Sequence, residues 1–184
     1  MAGNAMAEVP GGLCGLTALR SLLMSVNQLV TLPPDMSRLV SLTHLDVSLN
    51  HLTSLGTLPP ALVRLSAQTN SLAELPSDLP QLLGGSLQWL DVSNNALERL
   101  PKRLHRLKKL HTLRLSFNQL QSLPCGELAG IPELHRLEAY YACRIKVASD
   151  CVAHDRALQK LRRRRPMLSV GFMSAPAAAP VSAV

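Results

Sequence analysis

Aromatic residues are scarce: Phe, Trp and Tyr make up 3% of the 184 residues, with a single tryptophan, two tyrosines and two phenylalanines. Large rings usually supply much of the buried area of a compact core, so a core of that kind is excluded. Cysteine is also sparse, and Cys14, Cys125, Cys143 and Cys151 form neither a CxxC pair nor a compact Cys/His set. Their spacing signals no zinc site and no disulfide framework, which leaves reduced, structural thiols. No basic segment followed by an apolar one opens the chain, and no apolar run approaches the ~20 residues that span a bilayer. The expectation is a cytoplasmic protein without a membrane span. A Walker loop, a dinucleotide-binding glycine pattern and the kinase signatures are missing as well, which removes the commoner nucleotide enzymes and calls for no cofactor.

What is abundant is leucine, the main contributor to a 47% hydrophobic composition. A layered aliphatic core fits this better than a mixed globular one. The formal net charge of +7 is unevenly placed. Seven Arg/Lys and no acid lie between Arg99 and Arg114, and eight basic against two acidic residues lie between Arg144 and Arg165. Elsewhere the chain is acidic, so nucleic-acid binding through two basic segments is a rival reading rather than the leading one.

Internal periodicity organises the sequence. Asn27, Asn50, Asn70, Asn95 and Asn118 recur, each followed two residues later by leucine, at Leu29, Leu52, Leu72, Leu97 and Leu120. Counting back from each gives L-x-x-L-x-[LVMA]-x-x-N-x-L, as in Leu87, Leu90 and Val92 before Asn95, or Leu110, Leu113 and Leu115 before Asn118. The x-L-x-L segment predicts a short strand with alternate leucines inward and the intervening residues outward. Neighbouring strands then pair into a parallel sheet. The Asn amide, with donors and an acceptor together, can satisfy backbone groups left by the sharp bend after the strand, so the five asparagines predict a buried structural ladder. Between ladders the pattern L-P-x-x-[LM]-x-x-L, as in Leu32-Pro33 to Leu39 and Leu100-Pro101 to Leu107, suits a short helical turn on the opposite, convex side.

These motifs resemble the leucine-rich repeat family, over about residues 4 to 145. The L-P version of about 23 residues is similar to the intracellular class. The shorter unit around Leu55-Gly56-Thr57-Leu58-Pro59-Pro60 resembles the bacterial type, whose convex side is extended. The resemblance implies an α/β fold: a right-handed curved solenoid with a parallel sheet on its concave side and short helical or extended convex segments. It also implies protein binding as the function.

The ends are less regular. Asn4, Met6, Val9 and Pro10 match a half repeat in register, so residues 1–18 read as an uncapped start, either part of a longer solenoid or a truncated one. Residues 19–145 read as the solenoid, with about five full repeats and a degenerate sixth in which Ala142 replaces the ladder Asn. Residues 146–165 read as a basic cap with a helix from about Ser149 to Arg163, and 166–184 as a disordered tail. The run Lys160 to Arg165 suits the end of a cap helix, with a nuclear localisation signal as the alternative.

The function expected is a protein-interaction module, an intracellular scaffold or adaptor in signalling, with no catalytic residues, no metal site and no small-molecule substrate. A catalytic domain of ordinary size does not fit in the roughly 40 residues after the last repeat, although the chain could serve as the recognition segment of a longer enzyme. His111 and His135 occupy one outward slot in successive strands, too few ligands for a metal. The outward slots of the later strands hold Trp89, Asp91, Arg114, Phe117, Arg136, Glu138, Tyr140 and Tyr141. These are the residue types that most often dominate binding energy, and they are expected to form a partner-binding patch centred on Trp89 and Arg114. The earlier strands offer mostly small or polar residues, among them Ser21, Ser48 and Ser66, with His44, Asp46 and Arg64. Between Pro101 and Leu110, Leu104, Leu107 and Leu110 point to the core and the intervening bases form a convex stripe.

Overall fold

Each L-x-x-L-x-L unit forms a strand of three residues: β1 (Ser21–Leu23), β2 (His44–Asp46), β3 (Arg64–Ser66), β4 (Trp89–Asp91), β5 (Thr112–Arg114) and β6 (Arg136–Glu138). In the computed structural model, which describes residues 2–142, Gln159, Arg163 and residues 168–171, these strands and a seventh form one open parallel sheet in sequence order. Register follows the leucines: Leu22, Leu45, Leu65, Leu90, Leu113 and Leu137 face one another across successive strands. All six are buried, and Met24, Val47, Ala67, Val92, Leu115 and Ala139 form the next buried column at 0% exposure. Burying one leucine is worth roughly 1.5–3 kcal/mol, so the stacked columns hold the solenoid together.

The strands are short because the chain turns left-handed soon after them. Val26, Leu49, Thr69, Asn94, Phe117 and Tyr141, each directly before the ladder position, have φ between 51° and 57°. That conformation costs an L-residue roughly 1–2 kcal/mol. It is held in place by bonds to the next repeat: Val26 N–H donates to Ser48 O and Asn27 N–H to Leu49 O, with the same pair repeated down the sheet.

The ladder asparagine completes the bend. Asn95 Nδ2 donates to Val92 O at 3.1 Å and Ser93 O at 3.2 Å in its own turn and to Ala67 O at 2.9 Å in the preceding one. Its Oδ1 accepts Leu72 N–H at 3.0 Å. Asn50, Asn70 and Asn118 bond in the same way, and Asn27 Oδ1 accepts Met6 N–H. Where Ala142 lacks the amide, its backbone carbonyl takes Leu120 N–H instead, at 2.9 Å. A backbone bond thus replaces the missing side chain.

The convex connections differ as their sequences do. Helical turns occupy Leu13–Gly15, Pro34–Arg38 and Leu104–Arg106, with short helices α1 (Leu79–Leu82) and α2 (Cys125–Ala129). The short unit has no helical turn, and Gly56 there adopts φ +56°, which glycine supplies without a Cβ clash. Before β1 the half repeat adds no strand. It lies against the core, with Met6 and Val9 half-buried and Leu13 and Cys14 buried.

At the other end the structure departs from the expected tail. β7 (Ser169–Gly171) pairs parallel with β6, and Leu168 is buried against the core. Residues 168–171 are therefore ordered, not part of a disordered tail: Ser169 N–H donates to His135 O, Ala139 N–H donates to Gly171 O, and β7 covers the edge of β6. Tyr140 lies over Gly171, where a Cβ would come within 2.3 Å of Oη, so a larger residue there would need the tyrosine ring to move aside. Gln159 and Arg163 are helical, while the rest of the expected cap helix, Cys143, Cys151 and the remaining tail fall outside the described residues.

Candidate interaction surface

Alternation within three-residue strands places two outward columns side by side on the concave face. One runs Ser21, His44, Arg64, Trp89, Thr112 and Arg136; the other runs Leu23, Asp46, Ser66, Asp91, Arg114 and Glu138. The register sets Arg64 opposite Trp89, and its guanidinium lies 3.9 Å from the ring centroid. Arg114 approaches the same ring at 5.7 Å. Arg114 in turn joins two carboxylates: Nη1 lies 3.5 Å from Asp91 Oδ2, and Nε lies 3.1 Å from Glu138 Oε2, close enough for an ion pair although the angle is not that of a hydrogen bond. Glu138 also pairs with Arg136. Arg64, Trp89, Arg114, Asp91, Glu138 and Arg136 thus form one connected line across four strands.

Arg64 differs from the other two arginines of this line. Arg114 and Arg136 face carboxylates, whereas Arg64 makes no ion pair among the described residues. It borders a shallow hollow of about 510 Å³, lined also by Ser21, Leu23, His44, Asp46, Trp89, Asp91 and Arg114. The hollow extends from β5 toward β1, away from the C-terminal aromatics.

Several residues expected on the open surface lie elsewhere. Asp91 is 1% exposed, because Oδ1 accepts Ser93 N–H at 3.0 Å while Oδ2 faces Arg114. It anchors Arg114 and does not itself offer a surface. Ser48 and Ser66 are also buried, and Ser48 Oγ donates to Asp46 Oδ1 at 2.6 Å. Phe117 and Tyr141 lie in the left-handed turns beside the sheet, with rings stacked 5.5 Å apart and Phe117 55% exposed. Tyr140 packs over Gly171 of β7, and its N–H donates to Ser116 Oγ. The eight predicted residues therefore divide into the charged line, an edge stack and a contact with β7. Arg64 belongs to the line, although its strand otherwise carries the small and polar residues of the earlier repeats. The signal that could have found it is its place before Leu65, matching Trp89 before Leu90.

Other titratable groups are engaged locally. His111 Nε2 contacts Glu133 at 3.0 Å, and its ring stacks on His135 at 5.9 Å. Partial burial pulls the pKa of Glu127 upward, but hydrogen bonds from His105 and from the backbone amides of Arg103 and His105 outweigh it and hold the carboxyl below its usual range. Burial pushes Cys125 up to about 11 and also raises Cys14. Among the described residues no cluster of three or more His, Cys, Asp or Glu side chains could hold a metal, and no helix is long and apolar enough to cross a membrane.

An open parallel sheet, an inner asparagine column and a broad exposed face define the class: a solenoid that presents a surface rather than a closed pocket. Residues 86–130 match the family described as leucine-rich repeats (2 copies), and residues 41–65 match the single leucine-rich repeat. Rat osteomodulin is 35% identical over 116 residues, covering 58% of this chain and 26% of that protein. Chicken lumican is 38% identical over 120 residues, covering 62% of this chain and 35% of its own length. The solved structure of a leucine-rich repeat protein of Leptospira interrogans superposes with a TM-score of 0.78 at 32% identity, over 92% of this chain and 41% of that one. The chain carries leucine-rich repeats, and its fold is a leucine-rich repeat solenoid. It spans about a quarter to a third of the length of the two relatives named.

Proposed function

We propose that the chain is an intracellular scaffold or adaptor that holds a protein partner on its concave face, with contacts centred on Arg64, Trp89 and Arg114. The stacking of Arg64 on the only tryptophan carries this reading. The ring fixes a planar, five-donor cation beside a hollow, and no carboxylate among the described residues neutralises it. An acidic side chain of a partner would find a preordered donor fork there, and the indole would supply buried area. Arg114 is held by Asp91 and Glu138 and approaches the same ring at 5.7 Å.

Binding without catalysis is the reading these groups support. Nucleophilic cysteines need a lowered pKa, whereas Cys125 is pushed up to about 11 and Cys14 is raised. Among the described residues, Cys14 and Cys125 are free thiols.

The test is comparative affinity capture from cell lysate with quantitative mass spectrometry. The wild-type chain, Arg64→Ala, Trp89→Ala and a control altered at an exposed position outside the concave face, Val40→Ala, are compared. Proteins retained by wild type and the control but lost from both concave variants support the proposal. Equal capture by all four removes it.

A further inference from the structure

The second exposed concentration of charge lies on the convex side, where Leu104, Leu107 and Leu110 are buried at 2%, 0% and 0% and the residues between them face solvent. Arg99, Lys102, Arg103, Arg106, Lys108 and Lys109 are all exposed, and none forms an ion pair among the described residues. The acids nearest in the convex connections are otherwise engaged or outside ion-pair reach. Glu127 is held by His105 and two backbone amides, Glu133 contacts His111, and Glu74, Asp78 and Glu98 pair with none of the six cations.

These cations border a furrow between two successive connections. The connections approach so closely that a Cβ on Gly84 would lie 2.7 Å from Arg106 O and 2.8 Å from Pro80 O. Lys108 N–H donates to Gly84 O at 3.1 Å, and Arg106 Nη1 donates to Gln81 Oε1 at 3.1 Å. Two hollows of about 500 Å³ each flank this contact. One is lined by Arg99, Lys102 and Arg103, with the single carboxylate Glu74, over Leu75, Leu100 and Pro101; the other is lined by Arg106, Lys108 and Lys109 beside Pro80, Gln81, Gly84 and Gly85.

We propose that this convex furrow is a second docking surface, distinct from the concave one, and that its occupant is a linear acidic segment of a partner protein. Charge complementarity selects an anion. Shape and composition select a peptide, because the cations line two separate hollows, the first with Leu75, Leu100 and Pro101 beneath them and the second with the backbone of Gly84 and Gly85 open to an extended chain. Base stacking needs aromatic platforms, and the described aromatics, Trp89, Phe117, Tyr140 and Tyr141, lie on or beside the concave sheet. The same lack leaves no aromatic anchor for a bilayer interface.

The probe is a fluorescein-labelled peptide of about ten glutamates, long enough at ~3.3 Å per residue to span both hollows. Fluorescence anisotropy measures its binding to the full chain at fixed salt, since such contacts weaken as ionic strength rises. Lys102→Glu with Lys109→Glu should weaken binding about tenfold or more. Arg103→Gly should weaken it severalfold without lowering the unfolding midpoint, because Arg103 sits at φ +66°, where glycine relieves strain. Val40→Ala, at an exposed position outside both surfaces, should leave the peptide affinity unchanged. The proposal is overturned if the stripe variants bind the peptide as wild type does, or if reversing Arg162, Arg164 and Arg165 removes binding instead. It is equally overturned if an oligouridylate, or vesicles of phosphatidylserine and phosphatidylcholine, bind more tightly than the peptide through the same six residues.

Discussion

Arg64 and Trp89 face each other across β3 and β4, and the guanidinium of the first lies 3.9 Å from the ring centroid of the second. Trp89 is half-buried and Arg64 exposed, and a cation–π contact near the surface contributes only ~0.5–1 kcal/mol to folding, so this contact is not what holds the fold. Arg64→Ala and Trp89→Ala should each lower unfolding free energy by no more than about 1 kcal/mol. Partner affinity should fall about tenfold or more for each, as for central anchors. A double-mutant cycle by calorimetry should show the two losses to be coupled; additive losses would mean that the pair does not act as one contact.

The ladder makes a different demand. Asn95 makes four bonds to backbone from a 9% exposed position. Asn95→Ala strands those groups in the interior and should cost ~1–3 kcal/mol, seen as a lower urea midpoint. Leu113→Ala, in the neighbouring core column, should cost ~2–5 kcal/mol by opening a cavity. An unchanged midpoint for Asn95→Ala would mean that backbone bonds of the kind made at Ala142 replace the amide at little cost.

The repeat was legible because its signals are local side-chain identities at fixed spacing, Leu22 to Asn27 being one such unit. The left-handed column was not, since Val26, Leu49, Thr69, Asn94, Phe117 and Tyr141 share a backbone conformation but no side-chain chemistry. β7 was hidden for the same reason: Leu168 to Gly171 lie far from the last repeat and have no Asn to mark them. Alternation placed Trp89 outward correctly. It also placed Asp91 outward, and there the bonds to Ser93 and Arg114 decide its burial. The facing of Arg64 and Trp89 follows from the motif, each preceding the middle leucine of its strand, although the step from Asn70 to Asn95 is 25 residues and the one before it 20.

That backbone column has a consequence for stability. Val26 is β-branched, 53% exposed and held at φ 57°, a conformation that Asn tolerates better. Val26→Asn should therefore raise unfolding free energy by up to ~1 kcal/mol in thermal or urea denaturation. A loss of stability would show that the Val26 side chain makes contacts worth more than the strain.

Acid should act through Glu127. Its folded pKa lies below the usual carboxylate range, so its contribution to stability is present above the unfolded value and is lost as pH falls through the folded one. Wild type should exceed Glu127→Gln in unfolding midpoint at neutral pH, and the difference should shrink as pH drops below ~4. A gap that persists unchanged into strong acid would show that the amide's shape, not the missing charge, causes it.

The central claim, that a protein partner sits on the concave face at Trp89, can be read from one resonance. The chain has a single tryptophan, so incorporating 5-fluorotryptophan places one ¹⁹F signal at the proposed contact while an unlabelled partner stays silent. Adding the partner recovered by affinity capture should shift or broaden that signal in the wild-type chain and leave it unmoved in Arg64→Ala. A partner bound at saturation, verified by size-exclusion chromatography, with the ¹⁹F signal unchanged would contradict the concave assignment.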